Sequence, residues 1–192
     1  MFYISNDCAM YDPFEYPGLR ILLLFFDNPY REFYLREIAK LGKLSPSTCK
    51  RYLDFYSHRG LIMKSRKANL ILFRASTESP PYRHLKIGIF LLKAESLFDF
   101  LRKEYEGCSV ILYGSCARGE DGPESDIDLL IVGRTSVEID LAIFERQLNR
   151  KITLEVYTTR EWEERARADR PFYERVLIDG IVIFRNMPVV QA

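Results

Sequence analysis

Two aspartates, Asp126 and Asp128, stand one residue apart where the apolar run Ile127–Val132 begins. Because side chains two apart on a strand point to the same face, we expect their carboxylates to lie side by side. Like charges this close repel unless a cation lies between them. Proteins commonly hold Mg²⁺ with one or two carboxylates and the phosphates of a substrate. The pair therefore predicts metal-assisted chemistry on a phosphate-bearing substrate such as a nucleotide.

A tight turn precedes the aspartates and offers groups that bind phosphate. The apolar run Val110–Tyr113 reads as a buried strand, and Gly114–Ser115 follows it directly. Gly114 lets the backbone approach a phosphate closely. Ser115 offers a hydroxyl, and the N–H groups at the start of the next helical turn form an anion site. Arg118 is a nearby cation that could pair with a triphosphate. We expect these three residues to bind the nucleotide.

The two features together form the pattern G-S-x10-D-x-D between two predicted strands. This pattern resembles the signature of the polymerase-β-like nucleotidyltransferase superfamily. The string GSCARGEDGPESDIDLLIV is similar to the minimal nucleotidyltransferase branch, over about residues 95–160. The resemblance implies transfer of a nucleoside monophosphate from an NTP, with ATP as the default, to an acceptor hydroxyl. Pyrophosphate would leave.

The resemblance also implies cofactors and a class of partner. Asp126 and Asp128 would hold Mg²⁺, and in two-metal sites the ions lie about 3.5–4 Å apart. We therefore expect two Mg²⁺ ions and an NTP substrate. Many members of this branch look like antitoxins that modify a partner toxin, often of the HEPN type. A separate HEPN-type toxin is thus one implied acceptor, beside a small molecule or an RNA end.

The superfamily usually brings a third carboxylate from a later strand, for which Lys151–Tyr157 is the candidate here. Thr153 occupies the position where relatives often carry an aspartate. Glu155 lies two residues further on, and therefore on the same face, with a longer side chain. We expect Glu155 to join Asp126 and Asp128 as a catalytic residue and metal ligand. The alternative is that Glu155 faces solvent and that catalysis is impaired or absent.

Strand and helix patterns alternate around these residues, which predicts an α/β domain with a small mixed sheet flanked by helices. Ser136 is expected to cap the first helix after the aspartates, with Glu138 in its first turn. The predicted strands are Val110–Tyr113, Ile127–Val132, Lys151–Tyr157 and Ile181–Phe184, and the predicted helices are Ser136–Leu148, Thr159–Ala168 and Arg170–Ile178.

A basic block lies earlier in the chain. Residues 31–75 hold 11 lysines and arginines against 3 aspartates and glutamates, which gives a net charge of +8 in a chain whose total is +1. Such a block is typical of a nucleic-acid-binding module. The alternative is a solvated basic surface.

The same region has the element order of a winged helix-turn-helix. A helix over Pro17–Phe26, a short strand over Phe33–Leu35 and helices over Arg36–Leu41 and Ser45–His58 are predicted, with Gly42 at a C-cap and Ser45 as an N-cap. Two strands, Leu61–Ser65 and Asn69–Arg74, would follow, joined by the basic turn Arg66–Ala68. This order resembles the winged-helix domains of prokaryotic regulators. The residues expected to contact DNA are Ser47, Lys50, Arg51, Arg66 and Lys67. A winged helix used for protein contacts or dimerisation is the alternative.

We expect two domains, a winged-helix unit of α+β type and an α/β nucleotidyltransferase unit. Residues 1–75 would form the DNA-binding domain, residues 76–108 a linker with connector helices, and residues 109–192 the nucleotidyltransferase domain. The linker is expected in the Ser- and Pro-rich segment Ala75–Pro81. By analogy with other winged-helix regulators, a homodimer is expected.

Composition narrows the class of protein. With 47% apolar and 29% charged residues, the 192-residue chain is typical of folded soluble proteins. No run approaches the roughly 18 uncharged apolar residues of a membrane span, and no secretory signal pattern is visible. We expect a cytoplasmic protein without membrane partners. The four cysteines share no metal-type spacing and are expected to be reduced.

Three functions remain open from the sequence. The first is a Mg²⁺-dependent nucleotidyltransferase tethered to a DNA-binding winged helix, with an antitoxin-like or regulatory role. The second is a transcriptional regulator whose C-terminal domain binds nucleotide without turnover, which the missing aspartate at Thr153 favours. The third is a structural DNA binder with a relic domain, which would make the retention of Gly114, Ser115 and both aspartates a coincidence.

Overall fold

The computed structural model describes residues 13–133, 137 and 139–190. The chain divides into two compact units between Tyr82 and Arg83. Among the described residues, no helix is long and apolar enough to cross a membrane.

The first unit has the element order of a winged helix, as the sequence predicts. Its three strands form an antiparallel sheet in the order β1-β3-β2. Helices α2 and α3 form the helix-turn-helix, and the β2–β3 hairpin forms the wing. The elements are a 3₁₀ turn at Pro13–Glu15, α1 (Pro17–Asp27), β1 (Phe33–Tyr34), α2 (Leu35–Leu41), α3 (Pro46–His58), β2 (Ile62–Lys67) and β3 (Leu70–Ala75).

The turn between α2 and α3 follows from its local sequence. Gly42 occupies the C-cap of α2 as predicted, but with right-handed backbone angles, and Lys43 supplies the left-handed residue at φ 51°. Ser45 caps α3 by accepting a hydrogen bond of 3.1 Å from the N–H of Thr48. Pro46 follows in the first turn, where its missing N–H costs nothing. Buried Leu53 then anchors α3 to the unit's core.

The tip of the wing differs from the sequence-based expectation. Strand β2 continues through Arg66 and Lys67, which pair with Ile71 and Leu70 of β3. The predicted basic turn at Arg66–Ala68 is therefore wrong, and the chain reverses at residues 68–69. Ala68 adopts φ 53°, and this left-handed residue lets the hairpin close within two residues.

The second unit is built on a four-stranded mixed sheet, as predicted. The strand order is β6-β5-β4-β7, with β5 and β6 parallel and β4 antiparallel to both β5 and β7. Helix α4 runs across the boundary between the two units, and the single residue Ala94 separates it from the next helix. The elements are α4 (Pro80–Lys93), α5 (Glu95–Glu104), β4 (Ser109–Tyr113), α6 (Gly114–Arg118), β5 (Ile127–Val132), α7 (Ala142–Leu148), β6 (Ile152–Tyr157), α8 (Thr159–Ala168), α9 (Arg170–Asp179) and β7 (Ile181–Phe184).

Helices cover both faces of this sheet, because strand β5 is apolar on both sides. Leu97 and Leu101 of α5 pack against one face, together with Leu129 of β5. Trp162 of α8 and Val176 of α9 pack against the other face. Alternation along β5 places Asp128 on the face covered by α8 and α9, at the edge of their apolar cluster.

Helix α7 begins later than the sequence predicts. The expected cap Ser136 and the expected first-turn residue Glu138 lie outside the described residues, but residues 137 and 139–141 are not helical, so the predicted helix from residue 136 is wrong. The reason is apolar spacing of period two, since Val137, Ile139 and Leu141 all pack against the core before α7 begins. Asp140 instead accepts a hydrogen bond of 2.9 Å from the N–H of Ala142, the first residue of α7.

Candidate functional site

The register of the sheet decides which predicted residues are neighbours. Asp128 on β5 pairs with Tyr113 on β4 and with Thr153 on β6. Glu155 pairs with Leu130, one step further along the same face. The position directly beside Asp128 therefore carries threonine, and Glu155 reaches the aspartates only diagonally.

A cavity of about 460 Å³ lies at this end of the sheet. It brings together four of the predicted residues, Gly114, Arg118, Asp128 and Glu155. Ser115 and Asp126, which the structure also describes, do not line it. Its remaining walls are residues that the sequence interpretation had not selected, namely Tyr113, Phe172, Arg175, Val176 and Asp179.

Negative charge is concentrated around Asp128. Burial raises the pKa of its carboxyl group, and the carboxylates of Asp126 and Glu155 raise it further. Burial also raises the pKa of the Tyr113 hydroxyl, with additional contributions from Glu155 and Asp128. A half-buried carboxylate whose ionisation is opposed by two neighbouring carboxylates indicates a place where a cation is favourable.

The donor set fits Mg²⁺ held together with a substrate. Two adjacent carboxylates plus phosphate oxygens are a common ligand set for this ion. Among the described residues, no three His, Cys, Asp or Glu side chains are grouped as a metal site. Glu155 accepts a hydrogen bond of 2.8 Å from the Tyr157 hydroxyl. The residues therefore fit an ion that Asp126 and Asp128 would share with phosphates, and a second ion stays a prediction.

Gly114 provides the space in which Asp128 sits. Its φ of 73° is left-handed, and a Cβ atom there would overlap the Asp128 carboxylate and lie 3.1 Å from its Cγ atom. The glycine is thus required by backbone conformation and by the neighbouring carboxylate together.

We expect Gly114→Ala to lose about 1–2 kcal/mol of folding free energy from the left-handed backbone alone. The methyl group would also displace the Asp128 side chain, so metal-dependent nucleotide binding should fall further than stability predicts. Denaturant unfolding and calorimetry with MgATP measure the two effects. Gly122→Ala is the control, because Gly122 lies in the loop that follows α6 and its Cβ atom would make only an ordinary contact of 4.0 Å with Ser125 Oγ.

A buried polar network lies behind the aspartates and was missed by the sequence interpretation. The Arg150 guanidinium donates to the carbonyls of Ser125 at 2.7 Å and Asp126 at 3.2 Å, and lies 2.9 Å from the Asp121 carboxylate. The Lys86 ammonium lies 3.1 Å from the same carboxylate and also donates to the Asp121 carbonyl. These bonds fix the loop that leads into Asp126.

The network also has a charge imbalance. Lys86 and Arg150 share the single carboxylate of Asp121, so one positive charge remains inside. Burial lowers the pKa of Lys86, and Asp121 opposes this effect. The thiol of Cys116 lies 3.1 Å from Arg150, and burial raises its pKa to about 11. Cys116 and Cys49 are free thiols, as expected from the sequence, whereas Cys8 lies outside the described residues.

Comparison with known protein families supports a nucleotidyltransferase domain in the second unit. Residues 94–181 match the family model described as the nucleotidyltransferase domain. That segment contains the Gly114–Ser115 turn, the two aspartates, Glu155 and the helix α9 wall of the cavity. This region is a nucleotidyltransferase domain. The resemblance of the G-S-x10-D-x-D motif to nucleotidyltransferases is therefore confirmed for residues 94–181. The general chemistry of such domains is nucleotidyl transfer. No curated protein matches the chain.

Solved structures similar to the chain carry regulator descriptions. One is a possible transcriptional regulator from Methanosarcina mazei Go1, with 20% identity, 48% of this chain and 79% of that chain covered, and a TM-score of 0.33. A MarR family transcriptional regulator from Silicibacter pomeroyi DSS-3 is 22% identical, with 45% of this chain and 62% of that chain covered and a TM-score of 0.34. A ZitR variant from Lactococcus lactis in complex with DNA is 20% identical, with 48% of this chain and 62% of that chain covered and a TM-score of 0.34. The chain covers less than two thirds of the last two, and scores this low carry no weight for the fold.

The winged-helix unit presents the residues expected at DNA in two groups. Ser47, Lys50 and Arg51 are exposed on α3, the second helix of the helix-turn-helix. Arg66 and Lys67 are exposed at the end of β2. Lys67 forms an ion pair of 2.7 Å with Glu32, so its charge is partly compensated.

Proposed function

We propose that the nucleotidyltransferase domain catalyses Mg²⁺-dependent transfer of a nucleoside monophosphate from an NTP, with ATP as the default, to an acceptor hydroxyl. The observation that carries this proposal is the cavity in which Asp128 meets Gly114 and Arg118. Asp126 stands beside it across one residue and raises the pKa of Asp128. A phosphate-bearing substrate with its cation would neutralise this excess of carboxylates.

Each residue has a distinct role in this proposal. Asp126 and Asp128 would hold Mg²⁺, which supplies Lewis-acid stabilisation of charge on the phosphate oxygens when bound. Gly114 and Ser115 would approach the phosphates through the backbone and hydroxyl, and Arg118 would contribute positive charge. The Arg150 network would hold the Asp126 backbone in place. Acceptors of the right chemistry include protein hydroxyls, such as those of a separate HEPN-type toxin, small molecules and RNA ends.

The proposal is tested by calorimetry with ATP in the presence and absence of Mg²⁺. We expect binding by the wild-type protein that depends on Mg²⁺ and disappears in Asp126→Ala/Asp128→Ala, since these side chains are the proposed ligands. Asp140→Asn, an exposed aspartate of the same unit, is the control and should bind as the wild type does. Equal ATP affinity in the wild type and the double variant would contradict the assigned site.

Glu155 decides whether the site turns nucleotide over. If Glu155 activates the acceptor hydroxyl, Glu155→Gln should reduce nucleotidyl transfer by about 10²–10⁴-fold, the usual range for a general base. ATP affinity should change little, because Asp126 and Asp128 remain. Tyr157→Phe, which removes the hydroxyl that donates to Glu155, is the control and should lower transfer far less. The rate of pyrophosphate release is measured for the wild type, Glu155→Gln and Tyr157→Phe.

The second candidate function is a regulator whose nucleotidyltransferase domain binds nucleotide without turnover. It is favoured by Thr153 at the position beside Asp128 and by the diagonal placement of Glu155. In that case wild-type protein would bind MgATP but release no pyrophosphate with any cellular acceptor. Unchanged pyrophosphate release in Glu155→Gln would leave the third acid without a role.

We propose that the winged-helix unit binds DNA through α3 and the wing, as a dimer on paired half-sites. The first unit of the chain would then bind DNA, and the second unit would transfer the nucleotidyl group. The exposed cations Lys50, Arg51 and Arg66 support this proposal. Contacts to DNA phosphates release counterions, so affinity should fall steeply as salt rises.

Charge reversal of Lys50, Arg51, Arg66 and Lys67 should abolish DNA binding at physiological salt. Removal of each phosphate-binding cation should also reduce the slope of log K against log salt by about 0.9. Reversal of Lys67 alone should have the smallest effect, because Glu32 already compensates it. Filter binding across a salt series measures this, with Arg160→Glu on α8 as the control. An unchanged isotherm in the fourfold variant would exclude the interface.

A further inference from the structure

Helix α9 contributes one complete face to the cavity of the nucleotidyltransferase domain. Arg175 and Val176 follow Phe172 by three and four residues, and Asp179 follows them by four and three, which places all four on the same side of a helix. Phe172 and Tyr113 contact each other edge to face at 5.6 Å and close one wall. The charged side chains of this helix face therefore line the same cavity as Asp128.

The cavity has more carboxylates than cations. Among the described residues that line it, Asp128, Glu155 and Asp179 are acidic, and Arg118 and Arg175 are basic. An anionic polyphosphate needs at least one cation that is available to it. The two arginines differ in this respect.

Arg118 is already engaged within the domain. Its guanidinium lies 2.8 Å from the Glu120 carboxylate and 3.7 Å from that of Asp179. The Glu120 carboxyl has a lowered pKa, chiefly because of its hydrogen bond with Arg118. The charge of Arg118 is thus shared between two carboxylates before any ligand arrives.

Arg175 is in the opposite situation. It is exposed, it lines the cavity, and no carboxylate of the described part of the chain lies within 4.0 Å of its side-chain nitrogens. Its planar guanidinium can bind phosphate oxygens through two parallel hydrogen bonds. The rest of its helix shows the contrast, since Arg170 is bound to Glu174 at 2.7 Å.

We propose that Arg175 binds the β- and γ-phosphates of the nucleotide. Asp179 lowers the affinity for the nucleotide, because it holds Arg118 in an ion pair. This inference rests on the proposed nucleotide site and adds a polyphosphate subsite on α9. The ligand class is a linear polyphosphate, either within an NTP or as the pyrophosphate product. Arg175 and Asp179 therefore act on affinity in opposite directions.

The test is a ligand series of adenosine, AMP, ADP and ATP, titrated with Mg²⁺ into the full-length protein. Arg175→Gln should weaken ATP binding by about 10- to 100-fold, as expected for charge-assisted hydrogen bonds. AMP and adenosine should bind within about twofold of the wild type, because they lack the phosphates that Arg175 contacts. Asp179→Asn should strengthen ATP binding by about two- to fivefold, by removing a repulsive charge and releasing Arg118.

Two further variants separate this role from a structural one. Arg175→Lys keeps the charge and should retain most of the ATP affinity, and Arg170→Gln on the same helix should bind every ligand as the wild type does. An equal loss for AMP and ATP in Arg175→Gln, or no loss at all, would overturn the inference and leave the proposed function intact. Absence of ATP binding by the wild type would overturn both.

Discussion

Replacement of both aspartates, Asp126→Asn/Asp128→Asn, is expected to reduce nucleotidyl transfer by at least about 1,000-fold. Loss of the metal ligands removes several kcal/mol of charge stabilisation, and each 1.4 kcal/mol corresponds to about tenfold in rate. Asparagine keeps the size of the side chains, so the Gly114 turn should remain in place. The measurement is transfer of label from an α-labelled NTP under single-turnover conditions.

Asp128→Asn, one half of this double substitution, should not weaken the fold. The pKa of Asp128 is raised in the folded protein, so its ionised form opposes folding at neutral pH. This opposition disappears as the pH falls through the raised pKa, where the carboxyl takes up a proton. Asp128→Asn should therefore increase the melting temperature at pH 7, and the gain should shrink in acid. A lower melting temperature at pH 7 would show that the activity loss reflects unfolding rather than the loss of metal ligands.

The largest effect on stability is expected from Asp121→Asn. Its carboxylate forms ion pairs with both Lys86 and Arg150, and the three side chains are 5–12% exposed. Removal of its charge leaves two cations buried together, and loss of one partner of a buried ion pair costs about 3–5 kcal/mol. The Asp126 backbone should lose its fixed position at the same time. Denaturant unfolding at pH 7 measures the change in free energy.

Two variants show whether charge causes this loss. Lys86→Met removes one cation and leaves the Asp121–Arg150 pair balanced, so it should cost less than half as much as Asp121→Asn. The double variant Lys86→Met/Asp121→Asn should recover part of the stability that Asp121→Asn loses, because only Arg150 stays uncompensated. An equal loss in Lys86→Met and Asp121→Asn would contradict the charge argument and indicate a packing effect.

The parts of the site that are local in sequence could be predicted. The motif places Gly114, Ser115 and the aspartates within a single strand–turn–strand segment, and β5 has the predicted bounds Ile127–Val132. Residues two apart on a strand keep their relationship in any fold that contains the strand. The start of helix α3 in the winged helix could likewise be predicted from the sequence, because Ser45 as its N-cap and Pro46 in its first turn act locally.

The parts that depend on long-range packing could not be predicted. Arg150 lies 29 residues from Asp121, and Lys86 lies 35 residues from it on the other side, so no spacing links them. In the sequence, Lys86 is one charge among the apolar residues of a predicted connector helix. The orientation of α9 depends on how Val176 packs against the sheet, which hid Arg175 and Asp179 from the sequence interpretation.

Helix α7 shows how a local rule can fail for a physical reason. Ser136 followed by Glu138 is a typical helix start, and it predicts a helix through Leu148. The apolar residues between them and Ala142 have strand-like spacing, and burying them in the core outweighs the helix signal. The alternation of Val137, Ile139 and Leu141 is visible in the sequence and argues against a helix at these positions.

We propose above that this domain transfers a nucleotidyl group with Asp126 and Asp128 as its metal ligands. The most direct test incubates the purified protein with α-labelled ATP, Mg²⁺ and native cell lysate, and then separates protein, RNA and small-molecule fractions. We predict label in one fraction with the wild type, and none with Asp126→Asn/Asp128→Asn or when Mg²⁺ is chelated. Equal labelling by the wild type and the double variant would contradict the account, and so would no labelling by a wild-type protein that binds MgATP.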